Sequence, residues 1–328
     1  MRHQGIELLR VILMFLVVTE HVIGHGMGAL DVINGTNGCI ETMSLKLWAC
    51  YAPCIMAVDC FVFISGFWGI HFNIKRIITL IIQSLSTSLI LLLIANIFRI
   101  PIGGRMIVSS LAPIITNYWW FLTDYLVLFC ISPLLNVFVT MDKMIQRTIM
   151  LILFGVNCFG GLFFGSGGAN LGYSILNFIF LYLLGQYLNQ HKVLENRVRF
   201  YLLLNITLSA ILIIASFMSQ NVGPVAMKRM VAYNNPLVIL CAVTFFAVFY
   251  RTNFHCNISK LSRCSLGIYL FSDSPLLRSQ IPAVVSDMGG AVSIVLIFFS
   301  SLIAEVLRTK FVEATQIQRL INKYVIKL

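Results

Sequence analysis

The chain has little charge. Of its 328 residues only 11% are Asp, Glu, Lys or Arg, 59% are hydrophobic, and the mean hydropathy is +0.91. Soluble domains carry about 25% charged residues. A polar surface able to enclose a globule of this size is therefore excluded, and the chain reads as an integral membrane protein. Acidic residues are the scarcest: 12 against 23 Lys and Arg, a formal net charge of +11. A basic balance is one mark of nucleic-acid binding, but no Lys/Arg-rich tract or RNA-binding motif is present. In so apolar a chain the excess is assigned to loops obeying the positive-inside rule, and no nucleic-acid partner is expected. The nine cysteines form no C-x-x-C pair and no ligand-like spacing, so no metal site is expected. Cys50, Cys54 and Cys60 lie on or beside one apolar segment, with Cys39 in a loop before it, and read as small buried apolar residues. An A-x-A-like cleavage site is also missing. Glu20 and His21 stand where small residues would be needed, so the N-terminal run reads as a retained helix. No fixed-period repeat or low-complexity tract is visible, and no soluble domain is expected at either end.

What the chain has is long apolar runs. A bilayer requires about 20 apolar residues per helix. Runs of that kind fall at approximately 6–24, 49–71, 77–98, 118–138, 148–165, 173–189, 200–218, 235–250, 263–285 and 289–307. The expected fold is an all-α polytopic transmembrane bundle of about ten helices. With the N-terminus inside, 16 Lys and Arg fall in cytoplasmic segments and 6 in outer ones, Arg10 being counted within the first helix. That bias predicts both termini in the cytoplasm. Residues 1–308 are expected to form the membrane domain, and 309–328 a short basic tail lying on anionic lipid.

Within these runs stand polar groups that hydrocarbon disfavours, and intramembrane ionisable groups usually line sites or pathways. The first helix carries Glu7, Arg10, Glu20 and His21. Arg10 and His21 are 11 residues apart, about three turns, so they share one side of the helix at a separation of roughly 16 Å. Glu7 is within a turn of Arg10 and can pair with it. Glu20 projects about 100° from His21 and is expected on another face. The second run, AVDCFVFISGFWG, places Asp59 in the membrane and lets a neighbouring backbone approach at Ser65-Gly66. Lys75 and Arg76 open the third helix, as positive-inside anchors or as phosphate ligands. Trp119 and Trp120 read as interfacial belt aromatics, with Asp124 about one turn deeper. Tyr269 and Asp273 lie deep in the ninth run, with Pro275 after them.

Taken in order, these pieces resemble the acyltransferase 3 family of bacterial membrane-bound O-acyltransferases. The likeness runs from about residue 2 to about residue 308. It rests on Arg10-x10-His21, VDCFVFISGF (58–67), WFLTDYLVLFCISPLLN (120–136), YNNPLVIL (233–240) and LGIYLFSDSPLLR (266–278). The chain departs from the family pattern at Thr79, where a second arginine often follows Arg76, and at Ser272, where a histidine is common.

The resemblance implies a multi-pass protein of the bacterial cytoplasmic membrane. It would transfer an acyl group, most often acetyl from acetyl-CoA, to a hydroxyl of a cell-surface glycan or lipid-linked sugar. His21 is the expected base or transient acyl carrier, since a sugar hydroxyl needs a general base. Arg10 is expected at the inner mouth, meeting either the CoA phosphates or a carboxylate that fixes the helix, with Lys75 and Arg76 as secondary phosphate candidates. Asp59 is the expected carboxylate that orients His21, with Glu20 and Asp124 as alternatives. Tyr269 and Ser65 are candidate hydrogen-bond donors to the oxyanion. A proton-coupled transporter or exporter is the competing class. It would use the same buried charges and a helix break such as FGGLFFGSGG (159–168).

Overall fold

The computed structural model describes residues 3–36, 42–165, 168–252 and 254–314. Arg2, Cys39, Arg319, Lys323, Lys327 and most of the expected basic tail lie outside the described residues. Within them the chain is helical, with no strand.

Helix α1 spans Gln4–His21 and continues as a π-helical turn, Val22–Gly26. A short α2 follows at Ala29–Asn34. Ser44 then caps α3 (Leu45–Tyr51), its hydroxyl accepting from the Leu47 amide, and a 3₁₀ turn at Ala52–Ile55 leads into α4 (Met56–Trp68). Asn73 caps α5 (Ile74–Ile97) in the same way. After α6 (Gly104–Leu111) come α7 (Trp120–Leu135), which carries Pro133 and a 3₁₀ extension, and α8 (Lys143–Phe154), which runs on as a π-helix over Gly155–Phe164. Next are α9 (Ile175–Gln190), α10 (Val198–Ser219), α11 (Pro224–Met230) and α12 (Pro236–Tyr250). Asn235 caps α12, and Pro236 occupies the first position, where its missing N–H costs nothing.

The expected single helix over 263–285 is instead four pieces: α13 (Ser259–Arg263), α14 (Ser265–Ser272), α15 (Pro275–Arg278) and α16 (Ile281–Met288). Pro275 cannot donate into a continuing helix, and Ser274 caps the new start by accepting from the Leu276 amide. Last is α17 (Gly290–Ala314).

Among the described residues, six segments are long and apolar enough to cross a membrane: Leu45–Trp68, Ile74–Ile97, Trp120–Thr140, Lys143–Phe164, Val198–Ser219 and Gly290–Glu313. They divide by position. The α3–α4 segment is 67% buried within the protein, whereas the α5, α8, α10 and α17 segments are only 22% buried and present their apolar sides outward. The centre is α4 with α9 and α12 beside it. A side chain on Gly66 would strike the Tyr182 backbone, and one on Gly185 would come within 2.6 Å of the Phe67 nitrogen. Close approach through small residues is what Ser65-Gly66 predicts. Phe246 of α12 stacks its edge on Phe63 and Phe67, with centroids 5.0 and 4.8 Å apart. Helix α1 packs on α4, α12, α13, α14 and α17 through Leu9, Leu13, Val17 and Val18. That arrangement holds one face of α1 against the bundle interior, where the site lies.

Candidate functional site

Arg10 and His21 open into one cavity of about 330 Å³. Its walls come from α1, α4, α5, α7 and the α13–α14 pair, and its polar lining includes Arg76, Arg263, Gln83, Ser65, Tyr125 and Tyr269. The three-turn stripe on α1 thus lines one wall of the chamber, its two helix positions roughly 16 Å apart.

At the Arg10 position, Glu7 holds the guanidinium at 3.5 Å. Glu7 is buried and also accepts the Ser262 hydroxyl, which ties α13 to α1 and sets Arg263 on the same cavity. Arg76 reaches the cavity from the first turn of α5, its guanidinium 6.0 Å from the Phe129 ring. Lys75, expected beside it, is not among the lining residues. Adjacent helical positions diverge by about 100°, so only one of the pair faces inward.

At the other position, His21 Nε2 lies 3.3 Å from Glu20 Oε2 and 3.6 Å from Asp273 Oδ1. Tyr51 donates to Glu20 Oε1 at 3.2 Å, and Arg278 Nη2 donates to Asp273 Oδ1 at 2.5 Å. Two braced carboxylates therefore meet one imidazole nitrogen. Nδ1 is buried and has no hydrogen-bond partner among the described residues. An N–H at Nε2 directed to a carboxylate leaves the lone pair of a neutral imidazole on Nδ1.

This corrects two expectations. Asp59 does not orient His21; it is fully buried on α4 and accepts from Asn177 Nδ2 at 3.3 Å. Glu20 does meet His21, because the two side chains are long enough to converge across the 100° between their positions. Asp124 is half-buried and not among the lining residues. Ser65 lines the cavity, donating to the Phe61 carbonyl at 3.2 Å and lying 3.1 Å from the Tyr125 hydroxyl. Tyr269 lines it too, its ring centroid 6.3 Å from that of His21. Trp119 does not face lipid as a belt aromatic would: it is 2% exposed and packs on Tyr118, while Trp120 lines the cavity against Tyr173 and Tyr233.

Sequence reasoning missed Arg278, Tyr51, Arg263 and the pairing of Asp273 with His21. The readable signal was an intramembrane aspartate followed five residues later by arginine across a proline break, in DSPLLR. At the two departures from the family pattern, Thr79 bonds back to the Lys75 carbonyl and Ser272 to the Tyr269 carbonyl, each within its own helix. The glycine-rich stretch 159–168 begins in the π-helix, and none of its described residues lines the cavity. Cys54 and Cys60 are buried as expected and Cys158 and Cys241 are buried too, whereas Cys50, expected to be buried with them, is exposed, as are Cys130 and Cys256.

No curated protein and no solved structure matches the chain. A family model described as an acyltransferase domain matches residues 3–307, nearly the whole length and every wall of the cavity, and the chain belongs to the acyltransferase 3 family.

Proposed function

We propose that this protein is an acyl-CoA-dependent O-acyltransferase of the bacterial cytoplasmic membrane. It carries acetyl from acetyl-CoA to a hydroxyl of a cell-surface glycan or its lipid-linked precursor. The observation that carries the reading is the sharing of one cavity by Arg10 and His21. In this reading the Lys/Arg bias sets the N-terminus, and with it the Arg10 end, on the cytoplasmic side where the donor is dissolved. In this reading Arg10, Arg76 and Arg263 receive the phosphates of the donor, for which guanidinium forks are suited. The thioester then extends along the cavity toward His21.

The acceptor hydroxyl gives its proton to His21 Nδ1 as its oxygen attacks the thioester carbonyl. The C–O bond forms, the C–S bond breaks, and the departing CoA thiolate takes the proton back. Glu20 and Asp273 hold the Nε2–H and stabilise the transient imidazolium. Tyr269 is the hydroxyl donor for the tetrahedral oxyanion, since the Ser65 hydroxyl is given to the Phe61 carbonyl and Tyr125 pairs with Ser65. A positioned base contributes about 100- to 10,000-fold in rate.

The test is made in cells fed labelled acetate. His21→Ala and Arg10→Ala keep expression and membrane insertion but lose the alkali-labile label on surface glycan. Full labelling by His21→Ala overturns the mechanism. Unlabelled glycan in wild-type cells, with altered uptake or pH, moves the protein to transport.

A further inference from the structure

The displaced carboxylate Asp59 belongs to a second polar cluster that the proposed chemistry does not use. Asp59 on α4, Asn177 on α9, Asn157 in the π-helical end of α8 and Asn234 just before α12 are all 0% exposed. A chain of amide donors joins them. Asn177 Nδ2 donates to Asp59 Oδ1 at 3.3 Å, Asn157 Nδ2 to Asn177 Oδ1 at 2.8 Å, and Asn234 Nδ2 to the Asn157 carbonyl at 2.7 Å. Three oxygens are left over. Asp59 Oδ2, Asn157 Oδ1 and Asn234 Oδ1 are buried and accept nothing among the described residues. None of the described ion pairs involves Asp59.

Buried polar atoms are nearly always partnered, and a buried charge needs compensation. A proton on Asp59 Oδ2 removes the charge and can be donated to one amide oxygen, which leaves the other unmet. A water molecule donates to two oxygens and leaves the charge. A divalent cation leaves a net positive charge in the bundle. A monovalent cation answers both demands. The donors offered are carboxylate and amide oxygens, the hard ligands that suit alkali ions rather than transition metals. The π-helix supports the reading, since such segments recur at functional sites.

We propose that Asp59, Asn157 and Asn234 bind one monovalent alkali cation. The ion joins α4, α8 and the turn before α12, with α9 tied in through Asn177. None of the four residues lines the cavity, but Tyr233, the neighbour of Asn234, does. The ion therefore acts as a fastener for one cavity wall, and its existence does not depend on the acyl-transfer reading.

The test uses the purified full-length chain in detergent. Its Tm is measured in sodium chloride and in choline chloride at equal ionic strength, and equilibrium binding of radioactive Na⁺ is measured alongside. Binding to the folded state alone raises Tm by mass action, here by roughly 2–4 °C near ten times Kd. About one Na⁺ per chain should bind, and Asp59→Asn should abolish both effects. A wild-type Tm identical in the two salts with no bound Na⁺ overturns the proposal in favour of a proton or water. Binding that survives in Asp59→Asn overturns the location. Should that variant fail to fold, the wild-type binding measurement alone decides.

Discussion

At the scale of residues, the site is an imidazole between two carboxylates, each with its own brace. Arg278 makes the shorter contact, 2.5 Å to the Asp273 oxygen that faces His21, and it stands outside the cavity lining. Its role is positioning, so its loss should act on turnover rather than on donor binding. Arg278→Ala is expected to lower kcat by about 100-fold, the scale of an ångström-sized misplacement, with KM for acyl-CoA unchanged. Arg278→Lys should restore part of it, because the charge returns without the fork. Steady-state transfer assays on the purified protein check this, and a rise in KM without a fall in kcat would count against it. The stripe of Arg10 and His21 and the Glu7–Arg10 pair were legible from helical spacing alone, because those relations lie within one helix. The identity of the orienting carboxylate was not. Asp59, Glu20, Asp124 and Asp273 are all carboxylates in apolar runs, and only the packing of α14 against the first helix distinguishes them.

At the scale of elements, the central crossing of α4 and α9 depends on absent side chains. Gly66 faces the Tyr182 backbone and Gly185 faces Phe63 and Phe67, whereas Gly103 has open space around it. Gly66→Ala and Gly185→Ala should each destabilise the protein by about 1–3 kcal/mol, the range for overpacking, while Gly103→Ala is close to neutral. Thermal unfolding in detergent separates the three. A similar constraint acts where α14 meets α17. A side chain at Gly267 would collide with Glu305, which holds Arg308 through two bonds of 2.7 Å and accepts from Gln83 of α5 at 3.0 Å. The long peripheral helices were readable from apolar length. The four-piece stretch from Ser259 to Met288 was not, because hydropathy does not register where a proline-initiated helix restarts.

At the scale of the whole molecule, charge sets orientation and burial sets shape. The Lys/Arg bias predicts that the loop holding Lys192 lies in the cytoplasm and the one holding Lys228 and Arg229 outside. Green fluorescent protein fused after Lys192 should fluoresce, and alkaline phosphatase fused after Val222 should be active. The reverse pattern would overturn the orientation and with it the cytosolic donor. The helices that fall short of the length for a full crossing are informative. Helices α9 and α12, of 16 and 15 residues, span about 24 and 22 Å against a hydrocarbon core of about 30 Å. Both pack at the centre on α4, where protein rather than lipid surrounds them.

Composition alone determined that this chain is a membrane-embedded helical bundle, since so few charged residues cannot cover a soluble surface. Spacing alone determined that Arg10 and His21 share a side, since a helix repeats every 3.6 residues whatever surrounds it. Only the tertiary structure decided that the two open into one cavity, that Glu20 and Asp273 rather than Asp59 meet the imidazole, and that Asp59 anchors a separate amide cluster. Those outcomes depend on contacts between helices far apart in the chain, and a periodicity confined to one helix carries no information about its partners.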